Sequence, residues 1–90
     1  MYSIRYSGLF KKQIRLISKR GKDLAIINKV ILILSETGNL PAKYRPHKLK
    51  GDYTGYWEAH IEPDWLLVWE VKESELILIL IATGTHADLF

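Results

Sequence analysis

The chain opens on an alternation in which Tyr2, Ile4 and Tyr6 fall on one side and Ser3 and Arg5 on the other. That is the period of a strand with one buried face. After Ser7, a residue suited to cap a helix, the period changes. Phe10, Ile14 and Ile17 form an apolar stripe at helical spacing between Leu9 and Lys19, with Lys11, Arg15 and Lys19 stacked on another side, so the helix is amphipathic and basic. Gly21 suits its end. Asp23 then caps a second helix reaching about Glu36, in which Leu24, Ile27, Ile31 and Leu34 recur at three and four. Ile26, Val30 and Ile33 occupy its other sides, so it is expected to be the more buried helix. Gly38 and Pro41 end it, and a long polar loop from Asn39 to Asp52 follows.

The stretch from His47 to Trp69 returns to a period of two around Glu62-Pro63-Asp64, a sequence suited to a tight turn, and so predicts a hairpin. On its first strand Tyr56, Glu58 and His60 point one way and Trp57, Ala59 and Ile61 the other. On its second, Trp65, Leu67, Trp69 and Val71 share a face, with Leu66 and Val68 opposite. Asp64, at the turn, is expected to lie close to His60. Leu76 to Ala82 is apolar without alternation, as in a central strand covered on both faces. The tail TGTHADLF then leaves the sheet. The order β-α-α-β-β-β predicts an α+β domain with two N-terminal helices packed on one face of a mostly antiparallel four-stranded sheet. The other face is expected to be open and to carry Tyr56, Glu58 and His60, bordered by the loop of His47 and the tail of His86.

Ninety residues suffice for a single domain, residues 1–90, and are too few for two. The absence of cysteine removes disulfides and thiolate metal sites and suits a reducing cytoplasm. The opening segment lacks the apolar run of a secretion signal, and Leu76–Ala82 falls far short of the roughly 20 residues that span a bilayer, so no membrane association is expected. Charge changes the picture more. Residues 1–50 hold twelve Lys and Arg against two acids, a net +10, whereas residues 51–90 hold one Lys against eight acids, a net −7. A basic half of this kind is either a solvated helical surface or a surface that attracts a polyanion or an acidic partner.

Each candidate for chemistry has a structural reading when taken singly. His60 fits a half-buried sheet position, His47 an idle loop, and His86 a backbone hydrogen bond in the tail. Trp65 fits a core and Asp64 a turn. A core needs none of the three histidines on one face, however, and the predicted fold gathers them there. A mononuclear metal site is the competing use of three histidines and an aspartate, but no two of these histidines share a short ligand motif.

The string GDYTGYWEAHIEPDWLLVW followed by TGTHADLF, after a basic loop with Pro-His, resembles the YafQ-type toxins of the RelE/ParE superfamily over essentially the whole chain. The resemblance implies a toxin of a type II toxin-antitoxin system. Such a toxin is a ribosome-dependent endoribonuclease that cuts mRNA in the A site of the 30S subunit without metal or other cofactor. It is inhibited by a cognate antitoxin, expected from the adjacent gene. Position by position, the family's active-site residues fall on His47, His60, Asp64, Trp65, His86 and Phe90. Attack by a 2′-hydroxyl needs a base, an acid for the leaving 5′-oxygen and positive charge at the phosphate. The imidazoles of His47, His60 and His86 suit the proton transfers, with Asp64 orienting one of them. Lys48 and Lys50 are expected to hold phosphates, and Trp65 and Phe90 to stack on bases. Two positions depart from the family: Trp57 and Ala82 stand where many members carry arginine. The alternative is a catalytically weak or inactive binding module acting through gyrase, an antitoxin or RNA. The histidine set argues against the gyrase route, because ParE-type relatives lack it.

The segregated charge carries a prediction. An acidic, otherwise flexible antitoxin segment should fold against the basic helices, and association should slow markedly between low and moderate ionic strength in stopped-flow mixing. A salt-insensitive association rate would contradict this.

Overall fold

The computed structural model describes residues 1–90. Strand β1 (Ser3–Tyr6) leads into helices α1 (Gly8–Lys19) and α2 (Leu24–Thr37), and the chain then lays down β2 (His47–Lys48), β3 (Trp57–Glu62), β4 (Trp65–Lys72) and β5 (Ile77–Gly84). A last short helix, α3, spans His86–Leu89. The sheet order is β1-β5-β4-β3-β2, with β1 parallel to β5 and every other pair antiparallel. The architecture is the α+β one expected, with five strands rather than four. The additional strand, His47–Lys48, is two residues long, too short for a period to reveal it.

Local chemistry sets the element ends. The Ser7 hydroxyl accepts from the Phe10 amide at 2.9 Å and donates to the Ile81 carbonyl at 2.6 Å, so one side chain caps α1 and anchors it to β5. Asp23 caps α2 by accepting from the Ala25 amide. Gly38 closes α2 in the left-handed region at φ 77°, where a Cβ would stand 2.6 Å from the Tyr2 ring.

The core lies between the helices and one face of the sheet. Phe10 and Ile17 of α1 and Ile27, Val30 and Leu34 of α2 pack on Trp65, Leu67, Trp69, Leu78 and Leu80. Burying each such side chain contributes about 1.5–3 kcal/mol. As expected, α2 is the more deeply buried helix, although Asn28, Lys29 and Leu32 still face water. Trp57 belongs to this side too, stacked on Trp69 at 6.2 Å between ring centroids.

The second face is not open. Leu66, Val68 and Ala82 are buried on it, beside Glu58. The tail does not simply leave the sheet. It turns into α3 through a capping box between Thr85 and Asp88 and lies back over this face, where Tyr53, Tyr56, Val68, Ala82, Leu89 and Phe90 line a cleft of about 250 Å³. The sequence pattern could not show this cover, because the apolar residues that need it, Leu66, Val68 and Ala82, are split between two strands.

A bulge in β5 aims the tail. Val68 pairs with Ala82 and Trp69 with Leu80, so Ile81 is the extra residue, and its carbonyl is the one that Ser7 takes. Past the bulge, Thr83 is fully buried, and its hydroxyl accepts from the Trp65 indole at 3.0 Å and donates to the Leu66 carbonyl at 2.7 Å. Replacing Thr83 by the isosteric Val should leave that indole N–H unsatisfied and cost about 1–3 kcal/mol. Urea unfolding should report this as a lower midpoint at unchanged slope, and an unchanged midpoint would contradict it.

Candidate active site

Three imidazoles converge where β2, β3 and the start of α3 meet. His60 stands in the middle, its ring centroid 6.5 Å from that of His47 and 5.7 Å from that of His86. The strand period puts His60 on the face away from the helices, and the pairing of β2 with β3 sets His47 opposite Glu58. The turn from β5 into α3 delivers His86.

Each ring is held differently. The Nδ1–H of His47 donates to the Arg45 carbonyl at 3.0 Å, and its Nε2 stands 3.4 Å from Oε1 of Glu58. His86 donates from both its backbone N–H (3.0 Å) and its ring Nδ1–H (2.7 Å) to one oxygen of Asp64. This double grip fixes the tautomer and leaves Nε2 as the free nitrogen. His60 Nδ1 is buried without a partner. The backbone N–H of His86, and then its ring, hold the Asp64 carboxyl below the usual carboxylate range.

Asp64 therefore grips His86 rather than His60, the neighbour that the hairpin suggested. The turn is tight, but it points the carboxylate toward the incoming tail, which approaches from β5 and was invisible to reasoning along the hairpin alone. Trp65 is not available to a base: it is 2% exposed, its indole N–H is engaged by Thr83, and the Lys22 ammonium lies over its ring at 5.7 Å. Phe90 is exposed and meets Tyr53 edge-on at 5.3 Å. Lys48 pairs in register with Trp57 and lies over its ring at 5.6 Å, on the side away from the imidazoles. Lys50 is exposed in the loop before β3.

Three residues join the site that the sequence did not mark. Lys43 and Arg45 line an open cleft of about 400 Å³ together with His60. Glu58 is 6% exposed, touches His47, and has a buried Oε2 without a partner. Its alternation with His60 was the available signal.

The chain matches, over residues 2–90, a family described as the bacterial toxin of a type II toxin-antitoxin system, YafQ. It is 41% identical over 88 residues to the mRNA interferase toxin YafQ of Escherichia coli K12, covering 97% of this chain and 94% of the relative. Among solved structures it superimposes on YafQ in the E. coli DinJ-YafQ complex with a TM-score of 0.87 at 40% identity, over 100% of this chain and 99% of the other. It also superimposes on a metal-bound toxin from Helicobacter pylori with a TM-score of 0.91 at 38% identity, over 100% of both chains.

The grip of His86 on Asp64 is testable without reference to catalysis. In the parent, the Asp64 carboxyl should titrate below the ordinary carboxylate range, and in His86→Ala, which removes the ring but keeps the backbone N–H, it should return part of the way, as read by ¹³C-carboxyl NMR. Because the folded value is the lowered one, the contribution of this contact to stability is present above the unfolded pKa and is lost as pH falls through the folded one. Identical titration in parent and variant would contradict the assignment.

Proposed function

The chain belongs to the YafQ family of type II toxin-antitoxin toxins and is an mRNA interferase of that kind, and from this premise we propose how it acts: it cuts mRNA in the ribosomal A site by imidazole acid-base catalysis. The observation that carries this reading is the arc of His47, His60 and His86 on one face, with Asp64 clamping the last of them. An imidazole takes the proton of the attacking 2′-hydroxyl, a second delivers one to the leaving 5′-oxygen, and fixed cations meet the charge that grows on the phosphate between them. His86, with Nδ1 committed to Asp64, offers Nε2 to the substrate and serves as the acid or as a stabiliser of the phosphate. Lys43 and Arg45, beside His60, provide the charge that Ala82 does not, and Lys50 extends it along the loop. Phe90 offers an exposed ring for a base. An antitoxin is the protein partner, as DinJ is for its E. coli relative.

A metal ion has a specific ground as the competing use of the imidazoles, namely the metal-bound H. pylori relative. The residues of this chain do not fit it well. No three His, Asp or Glu side chains stand close enough to enclose an ion. His47 faces an oxygen at each ring nitrogen, so a metal there would have to displace a contact, which leaves Nε2 of His86 as the free nitrogen of those two rings.

Truncation of His86 to Ala should lower single-turnover cleavage of A-site mRNA about 10²-fold or more, the usual worth of a positioned acid or base, with folding and antitoxin binding intact. Primer extension on programmed ribosomes, at equal ribosome occupancy, measures it. Cleavage at the parent rate would make His86 structural and remove the tail from the chemistry.

A further inference from the structure

The helix that carries His86 is only four residues long, too short to hold its own shape. Something outside it must fix the ring. Asp64 is one anchor, and the second lies far away in sequence. Arg20, the residue that ends α1, donates to Asp88 from both guanidinium arms, Nη1 to Oδ2 at 2.7 Å and Nη2 to Oδ1 at 3.2 Å. The same Oδ2 accepts from the Thr85 backbone at 2.9 Å, and the Thr85 hydroxyl accepts from the Asp88 amide at 3.1 Å. Asp88 therefore closes the first turn of α3 with one hand and holds α1 with the other. Arg20, and after it the Thr85 amide, keep its carboxyl down at about 2, so the pair stays charged throughout the physiological range. β5 approaches the carboxylate closely as well, since a Cβ on Gly84 would stand 2.8 Å from it.

We propose that Arg20 is a positioning residue for RNA cleavage: by latching Asp88 to the end of α1 it fixes α3, and so sets the place of His86 and Phe90 together. His86 and Phe90 lie at either end of this one turn and are joined by the hydrogen bond from the Phe90 amide to the His86 carbonyl at 2.8 Å, so whatever fixes the turn fixes both. The ion pair is partly exposed, with side-chain exposures of 44% and 23%, and pairs of that kind contribute little to global stability. What a bidentate guanidinium does provide is a fixed geometry, and small displacements of a reacting group are costly in rate. Arg20 touches neither imidazole nor substrate in this account; it acts through Asp88.

The inference rests on His86 acting in the cleavage, so the experiment reads the latch with and without activity. Arg20→Ala should lower the saturating single-turnover rate on programmed ribosomes about tenfold, with half-saturation and thermal midpoint close to the parent's. Arg20→Lys, which keeps the charge, should recover part of the loss. In a His86→Ala background, Arg20→Ala should cost much less than tenfold, because the share of its effect that passes through His86 is already lost and only the share through Phe90 remains. Amide ¹⁵N relaxation should show residues 85–90 more mobile in Arg20→Ala than in the parent. A parent-like rate in Arg20→Ala, a full tenfold loss retained on top of His86→Ala, or an unchanged tail in the relaxation data would each overturn the proposal. Were His86→Ala itself as active as the parent, the catalytic reading would fail, while the relaxation measurement would still decide whether Arg20 holds α3.

Discussion

The buried hydroxyl of Thr83 is the constraint on which the site depends. Thr83 lies with no exposed surface at the end of β5, where three bonds must be made at once: its hydroxyl to the Trp65 indole and the Leu66 carbonyl of β4, and its amide to the Gln13 side chain of α1 at 2.9 Å. A buried polar group of this kind is costly unless every partner is present, so the arrangement admits few alternatives. It fixes the direction in which the chain leaves the sheet. Three residues later that direction brings the His86 amide and ring onto Asp64. The same bulge that turns Thr83 inward toward the helices places Ala82 outward, on the face of the imidazoles.

Much of the fold was legible because it rests on local periods. The helical stripe of Phe10, Ile14 and Ile17, the caps Ser7 and Asp23, and the alternation through Glu58 and His60 each follow from neighbours in the chain. The gathering of the histidines was legible only in part. His60 was placed by its strand, whereas His47 and His86 owe their positions to a two-residue strand and to a bulge, features that leave no period. Asp64 is expected near His60 from the hairpin alone, and the histidine that it holds could not be named from there because it arrives 22 residues later. The burial of Trp65 had a visible signal, since it shares a face with Leu67 and Trp69, and the pattern of the second strand already argued against a free ring.

Glu58 shows how the neighbours of a buried carboxylate set the charge of the site. His47, Glu58, Val68 and Ala82 form one row across four strands, on the face that carries His60. A carboxylate buried in such a row calls for a cation, and Ala82, the β5 member of the row, supplies none. One oxygen of Glu58 is engaged by His47 and the other has no partner. The fixed positive charge beside His60 therefore lies at Lys43 and Arg45, just before β2. Trp57 lies on the opposite face, stacked on Trp69 and packed against the core.

The central claim is that imidazoles move the protons while a 2′-hydroxyl is the nucleophile. The chemistry of the cut ends tests it most directly. mRNA cleaved on programmed ribosomes, with the toxin pre-treated with a chelator that spares ribosomal magnesium, should carry a 2′,3′-cyclic or 3′-phosphate on one fragment and a 5′-hydroxyl on the other. Fragments with a 5′-phosphate, or cleavage abolished by that pre-treatment and restored by an added divalent metal, would contradict the account.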